Sequence, residues 1–328
     1  MSFAQAKQII SDEFKDDSLN VVEFHGGEPM LNFGLIKNVC EWVWHSFPER
    51  DVHFFLTTNG TQFTEKNFAW LKEHNKQIVC ALSLDGTPEM NMENRGVSIP
   101  ETTLRTIHEL WPKQSIKMTI SPLTLPRVSE GIIYAHSFGF NVSANLAYGI
   151  DWNQCDVRDY ARELDKLVEF YLDHPEVEPC SILEGDKLIK ILHKQSVNRH
   201  CGAGKTFRAY DTDGSRYPCH VFAGNTLKSS RWNEISETDF ADDALLEDPT
   251  CKECPIYNIC TSCLGMNFIE RGHLYSRDKT MCDFIKVEKK AACKLNKQKI
   301  LSKKLEAITE KEYLILSAID RIEDLNTH

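Results

Sequence analysis

No apolar run in the chain approaches the roughly 20 residues that a membrane-spanning helix needs, so no membrane partner is expected. Positive charge is scarce too. Across 328 residues, 38 Lys and Arg stand against 48 Asp and Glu, a formal net charge of −10, with no long basic run. Such a chain does not suit a nucleic-acid phosphate backbone. There is no internal repeat. The opening residues, MSFAQAKQIISDEF, read as an amphipathic helix rather than a basic stretch followed by an apolar core. No secretory signal is therefore expected, and the expected compartment is the cytoplasm. Thiols stay reduced there, which places metal binding ahead of disulfides as the explanation for the cysteines.

Cysteine is what the chain has in excess: 12 in all, seven of them between Cys201 and Cys282. Those seven are Cys201, Cys219, Cys251, Cys254, Cys260, Cys263 and Cys282. Four fall in the run CKECPIYNICTSC, as two C-x2-C pairs separated by five residues. That spacing gathers sulfurs around a small inorganic centre and has no use in an apolar core. Thiolates are soft ligands and favour iron–sulfur clusters or zinc over magnesium or calcium. Seven exceed one four-coordinate site, so at least two centres are expected. The rival is one all-thiolate zinc site on Cys251, Cys254, Cys260 and Cys263. It leaves Cys201, Cys219 and Cys282 unused, and its central gap is short for a zinc ribbon. The other cysteines, Cys40, Cys80, Cys155, Cys180 and Cys293, read as buried small apolar residues or inert surface thiols.

Residues 1 to about 150 alternate helix and strand. Helices are predicted over 2–14 with Ser2 as cap, 32–47, 64–74 with Thr64 as cap, 100–110 and 128–138. Strands are predicted over 19–24, 52–56, 78–84, 116–120 and 141–147. They are mostly apolar runs, as expected of parallel strands covered on both faces. In such sheets ligands bind at the carboxyl ends of the strands. His25-Gly26-Gly27-Glu28-Pro29, Thr57-Thr58-Asn59-Gly60 and Asp85-Gly86 all fall there. Glycines let a backbone approach a ligand closely, and Glu28 could accept from an ammonium. Each is also an ordinary turn pair; three on one edge point to a site. His25 reads as pocket-lining or as a packed core histidine, and Trp42, Trp44 and Trp70 as core. Beyond 150, helices are predicted over 157–172 and 186–193. The Lys/Glu-rich end carries Leu301, Leu305, Ile308, Tyr313, Leu314, Leu316 and Ile319 as a packing stripe or a partner-binding face.

These motifs resemble those of radical S-adenosylmethionine (SAM) enzymes carrying a SPASM auxiliary-cluster domain, the group of anaerobic sulfatase maturases and peptide maturases. Gly26-Gly27-Glu28-Pro29 is similar to the family's G-G-E-P motif, which contacts the SAM amino group. Thr58, Asn59, Ser83 and Asp85 lie at strand ends that line the SAM pocket in that family, and Arg95 resembles an arginine often found nearby. Cys201, twelve residues, Gly214, four residues and Cys219 match the first part of the SPASM pattern. The second part is one residue short in its last gap, and Cys282 supplies the final position. By this resemblance Cys251, Cys254, Cys260 and Cys282 hold one [4Fe-4S] cluster. Cys201, Cys219 and Cys263 hold three corners of another, whose fourth corner is open among His193, His200, Cys180 and a substrate group. No catalytic residue is evident. His220 stands where some relatives have an acidic base, near Tyr210, Asp211 and Asp213, and is the one candidate for a proton role.

One departure stands out. The family's C-x3-C-x2-C, whose cluster cleaves SAM, occurs nowhere in the chain. Cys40 lies in a predicted helix and does not replace it. A longer reading frame, a complementing partner chain, or a degenerate protein that kept its auxiliary clusters would each account for this, and an exposed apolar patch is expected where the first strand belongs. The expected architecture is α/β: a partial TIM-like (β/α) barrel lacking its first strand over 1–150, a helical bridge over 151–200, a cysteine-rich SPASM domain over 201–290 and a helical tail over 291–328. The expected function is maturation of a peptide or protein side chain by 5′-deoxyadenosyl radical chemistry, with SAM, two [4Fe-4S] clusters and an electron donor such as flavodoxin or ferredoxin. The alternative is a non-catalytic iron–sulfur protein that binds peptide or relays electrons.

Overall fold

The computed structural model describes residues 1–16, 20–193, 199, 201–224, 226–251 and 253–325. It divides into two compact units, Met1–Leu146 and Ala147–His328.

In the first unit, three strands, β1 (Val21–Phe24), β2 (His53–Thr58) and β3 (Ile78–Leu82), form a parallel sheet in the order β1-β2-β3. Two more, β4 (Ile116–Ile120) and β5 (Val142–Leu146), pair in parallel. A backbone bridge between Ser83 and Lys117, with Leu84 N donating to Lys117 O at 3.0 Å, joins β3 to β4. The five strands therefore neighbour one another in chain order, without the reversal of a doubly wound sheet. Helices α1 (Phe3–Glu13), α2 (Phe33–Ser46), α3 (Glu65–Glu73), α4 (Pro88–Arg95), α5 (Glu101–Leu110) and α6 (Val128–Ser137) occupy the connections. Ser2 caps α1 through a reciprocal pair with Gln5, and Thr64 caps α3. The core is made by Ile36, Val39, Phe54, Leu56, Ile78, Leu82 and Leu104.

Two expectations about this unit change. Burial of both sheet faces holds for β3, whereas β4 buries Ile116, Met118 and Ile120 and leaves Lys117 and Thr119 exposed. The strand predicted from Leu19 begins at Val21, and Leu19 itself lies outside the described residues. β1 is an edge strand with Val21 45% exposed, and Leu31, just beyond the Gly-Gly turn, is 72% exposed.

The second unit is built on α7 (Gln154–Asp173) and α10 (Lys279–Leu301) packed along each other. Tyr160, Leu164, Leu167, Val168 and Tyr171 are fully buried on α7, and Phe284 on α10. Tyr160 donates its hydroxyl to Glu288 at 3.0 Å, closing the seam. The segment expected to be a bridge thus supplies half of this core. Likewise α10 runs unbroken across the boundary expected at residue 290, because its apolar face packs continuously on α7. Its partner α11 (Glu310–Leu325) packs against the 3₁₀ turns of Asp186–Leu192, where an α-helix was expected. The buried stripe of α11 is Ile315, Ala318, Ile319 and Ile322, the i, i+3, i+4, i+7 pattern. Of the expected stripe, Leu301, Leu305, Tyr313 and Leu314 are exposed instead. The cysteine region contributes a two-residue hairpin, β6 (Ala209–Tyr210) with β7 (Arg216–Tyr217), one turn of helix α8 (Ser229–Trp232) and α9 (Leu264–Arg271). They gather around Phe222, Leu227, Phe240, Leu246 and Phe268. No described helix is long and apolar enough to cross a membrane.

Candidate functional site

The seven cysteines separate into a group of four and a group of three, both within the second unit. Cys251, Cys254, Cys260 and Cys282 line one cavity of about 290 Å³, partly open to solvent, together with Ile256, Tyr257, Arg277 and Lys286. Local hydrogen bonds place them. Asp248 accepts from Thr250 N at 2.9 Å and from Thr250 Oγ1 at 2.7 Å, setting the turn at Cys251. Cys254 N donates to Cys251 O at 3.0 Å, and Cys260 N to Tyr257 O at 3.2 Å. Cys282 arrives from the first turn of α10, which Asp278 caps by accepting from Thr280 N and Met281 N at 2.7 and 3.1 Å.

Cys201, Cys219 and Cys263 form the other group. The stretch between Cys201 and Cys219 folds back as the β6–β7 hairpin, whose turn needs Gly214 at φ +92°, a conformation open mainly to glycine. That is why glycine falls at this point of the spacing. Cys263 is the N-cap residue of α9, and Gly265 in the first turn lets α9 lie against Val221; a Cβ there would come within 2.4 Å of Val221 Cγ1. Close packing at Gly265 brings Cys263 beside Cys219.

Electrostatics agree with two cages. Burial pushes the Cys219 thiol up to about 11, with Cys263 and Cys201 adding to the rise. Burial pushes Cys282 up to about 11 as well, with Cys260, Cys251 and Cys254 adding to it. Thiolates crowded in this way repel one another until a cationic centre relieves them. The residues present fit [4Fe-4S] groups: four soft donors around a cavity, with the Arg277 and Lys286 cations on its wall. Among the described residues no three His, Cys, Asp or Glu side chains converge on a point fit for a single ion. Cys282, not Cys263, completes the quartet, so the zinc set expected on Cys251, Cys254, Cys260 and Cys263 does not share this cavity. All 12 cysteines are free of disulfides.

The remaining candidates fall elsewhere. Cys180 is buried in the core, its backbone N–H donating to Tyr171 Oη at 2.9 Å, and burial pushes its thiol up to about 11. His193 is exposed and its carbonyl accepts from Asn258 at 2.7 Å; His200 lies outside the described residues. His220 is exposed, opening the short turn after Cys219. Cys155 is exposed, and Cys293 is buried on α10. Sequence reading missed Arg277 and Lys286. Neither sits in a motif, and the one available signal was a cation five residues before Cys282.

In the first unit, the Gly-Gly turn, the end of β2 and the end of β3 come together through Glu28. Its Oε1 accepts from Thr58 Oγ1 at 2.7 Å and from Met30 N at 3.0 Å, and its Oε2 from Asn59 N at 2.7 Å. Three of a carboxylate's roughly four lone-pair directions are thus engaged, leaving one. Pro29 starts the 3₁₀ turn that Glu28 caps. Gly26 and Gly27 are exposed, with open space where a Cβ would stand, and His25 is exposed rather than packed in the core. Ser83 N donates to Thr58 O at 2.8 Å, and among the described residues no hydrogen bond involves its hydroxyl. Asn59 Oδ1 accepts from Thr61 N and Oγ1 at 3.0 and 2.7 Å, an Asx turn.

Asp85 has a different part from the one expected. It is 2% exposed, and its Oδ1 accepts from Thr119 N at 2.8 Å and Arg95 Nη2 at 2.9 Å. Its Oδ2 accepts from Asn94 Nδ2 at 3.1 Å, with Arg95 Nε at 2.8 Å, an ion-pair distance but out of line for a hydrogen bond. The carboxylate is fully committed to clamping α4 and β4 to the end of β3. Asp85→Ala strands this half-buried cation and a backbone N–H, and about 2 kcal/mol of unfolding free energy should be lost in a denaturant titration.

Comparison with known proteins gives the class. The family described as 4Fe-4S single cluster domain matches residues 1–108. Only Cys40 and Cys80 occur in that segment; both are buried, in α2 and β3, and burial raises both thiols. The chain is similar in sequence to a sulfatase-maturating enzyme and to a radical SAM synthase, and similar in fold to anSMEcpe and SuiB. A cysteine-type anaerobic sulfatase-maturating enzyme of Clostridium novyi is 23% identical over 73% of this chain and 71% of its own length. A radical SAM cyclopropyl synthase of Paramaledivibacter caminithermalis is 23% identical over 81% of this chain and 58% of its own. An uncharacterized protein of Methanocaldococcus jannaschii matches over 42% of this chain at 26% identity, half of its own length. The chain therefore spans between half and about seven-tenths of the curated relatives it matches. Among solved structures, anSMEcpe with bound AdoMet superposes with a TM-score of 0.64 at 17% identity, covering 92% of this chain and 89% of that one. Streptococcus suis SuiB bound to its precursor peptide SuiA gives 0.57 at 18%, covering 86% and 69%.

Proposed function

We propose that this chain is the SAM-seating and auxiliary-cluster part of a radical SAM maturase that modifies a peptide or protein side chain. The observation that carries the reading is the sorting of seven cysteines into a quartet and a trio, in the partner sets the SPASM resemblance implies. Cys251, Cys254, Cys260 and Cys282 would hold one [4Fe-4S] cluster, and Cys201, Cys219 and Cys263 three corners of a second. Five parallel strands in chain order support a partial (β/α) barrel. Gly26, Gly27, Glu28, Pro29, Thr58, Asn59 and Ser83 would seat SAM at its carboxyl edge. Glu28 offers its one unengaged lone pair to the ammonium, and the Ser83 hydroxyl is open to the ribose side. Asp85 shapes that edge from behind. SAM, when cleaved reductively in such enzymes, supplies a 5′-deoxyadenosyl radical that abstracts hydrogen. The bound peptides of anSMEcpe and SuiB support a peptide substrate. A flavodoxin or ferredoxin would be the electron donor.

The SAM-cleaving cysteines are not among the 328 residues, so catalysis requires them from a longer form of the chain or from a partner. That observation keeps a second reading: an iron–sulfur protein that binds peptide or relays electrons. Anaerobic reconstitution followed by iron analysis and calorimetry with SAM separates them. The maturase reading expects about eight irons per chain and saturable SAM binding. About eight irons without SAM binding selects the relay, and no iron rejects both.

A further inference from the structure

We infer that Arg277 is a positioning residue that sets the reduction potential of the centre held by Cys251, Cys254, Cys260 and Cys282. The inference rests on the cluster reading of that quartet and goes beyond it. Arg277 Nη1 donates to Cys260 Sγ at 2.7 Å. Cys251 Sγ lies 4.0 Å from the Thr250 hydroxyl, and Lys286 lines the same cavity.

Arg277 is held at its guanidinium by one ring and at its backbone by two hydrogen bonds. Its ring partner is Tyr257, with the guanidinium carbon 5.4 Å from the ring centroid. Its backbone N–H reaches Asp248 Oδ2 at 3.4 Å. The carbonyl before it, that of Ser276, accepts from Arg271 Nε at 2.7 Å. Arg271 is fixed in turn by Asn267 and Glu270. A charge anchored this way does not swing off to solvent when the sulfur changes charge. Arg277 also stands between the quartet cavity and a second one of about 460 Å³ bordered by Tyr148, Trp152, Cys260 and Cys282. Cys260 and Cys282 are the two corners that face both spaces, and Arg277 bonds the first of them.

Reduction adds negative charge, spread in part onto the ligand sulfurs. A fixed cation and an N–H donor at one sulfur stabilise the reduced form more than the oxidised one, which raises the potential. Arg277→Gln keeps a donor and loses the charge. Arg277→Lys keeps the charge and loses the planar fork over Tyr257.

An EPR-monitored redox titration of the reconstituted chain tests this, with iron analysis of each variant. In Arg277→Gln one of two reduction waves should move down. At the wild-type midpoint the reduced-to-oxidised ratio should fall about tenfold, ~59 mV for a one-electron couple. The other wave, from the Cys201 group, should stay in place, and Arg277→Lys should restore most of the shift. Retained iron with neither wave moved overturns the inference, as do equal shifts of both waves. Loss of iron in both variants also overturns it, since Arg277 would then hold the cage rather than tune it. Failure of the underlying cluster reading shows separately: Cys251→Ala in an otherwise unchanged chain would keep the full iron content.

Discussion

Replacing Cys254 by alanine is expected to remove about four of roughly eight irons per reconstituted chain and one of its two reduction waves. Cys254 is the most informative of the quartet. Among the described residues its thiol takes part in no hydrogen bond, and it lies in a loop rather than in packed core, so its loss leaves the metal-free fold within about 0.5 kcal/mol. The effect on the loaded protein is large because a cubane held by four corners loses one whole attachment, and the open iron is then exposed to solvent. Cys219→Ala should remove the other four, and the two losses should add, since the cages share no ligand. Cys180→Ala supplies the control. It excavates the core beside Tyr171 and lowers the unfolding midpoint while leaving iron untouched. Iron content unchanged in Cys254→Ala would end the assignment of the quartet. An equal loss in Cys180→Ala would mean that iron content reports fold integrity alone. SAM binding, which the first unit is proposed to supply, should not change in either variant.

Much of this arrangement was readable before any coordinates, and for definite reasons. Strand β4 was read at its observed bounds, although the alternation of Ile116, Met118 and Ile120 with polar residues that it shows was not the pattern expected of it. The caps at Ser2 and Thr64 were readable because side-chain capping is chemistry within a few residues. The partner sets of the cysteines came from the SPASM resemblance; spacing alone left a zinc site on Cys251, Cys254, Cys260 and Cys263 as the weaker rival, with a short central gap and three cysteines unused. Helix α4 was missed: PEMNMENR buries only Met90 and Asn91, so no apolar period betrays it, and it is defined by Thr87, Pro88 and Gly96 at its ends. Without α4, Asp85 looked like a free carboxylate at a strand end, since its partners Asn94 and Arg95 sit on that helix. In α11 the run YLILSAI offers apolar residues on every side, and only packing against the 186–192 turns selects Ile315, Ala318, Ile319 and Ile322. Arg277 was invisible because its meaning is a distance to Cys260, seventeen residues back, which only the closed loop creates.

The other large effect is expected at Glu28. Glu28→Gln should weaken SAM binding by tenfold or more and cost unit 1 about 1.5–3 kcal/mol, the range for hydrogen bonds to a charged group. The carboxylate serves three donors at once: Thr58 Oγ1 and Met30 N at one oxygen, Asn59 N at the other. An amide can keep only one acceptor oxygen. If its NH₂ faces Asn59 N, two donors confront each other; if it faces Met30 and Thr58, two bonds fail. Either way the turn after Gly27 loosens from the end of β2, and the negative charge that would meet an ammonium is gone. Thr58→Val separates these consequences. It removes one donor, and the acceptor of Gly60 N at 3.2 Å, and keeps the charge, so stability should fall by about 1–3 kcal/mol. SAM affinity should then hold or rise, because a lone pair is released to the ligand. Denaturant unfolding without SAM reads the first quantity and calorimetry the second. Stability lost in Glu28→Gln with SAM affinity unchanged would leave Glu28 as a latch between turn and strand, and the ammonium would have to be sought at the backbone carbonyls around it.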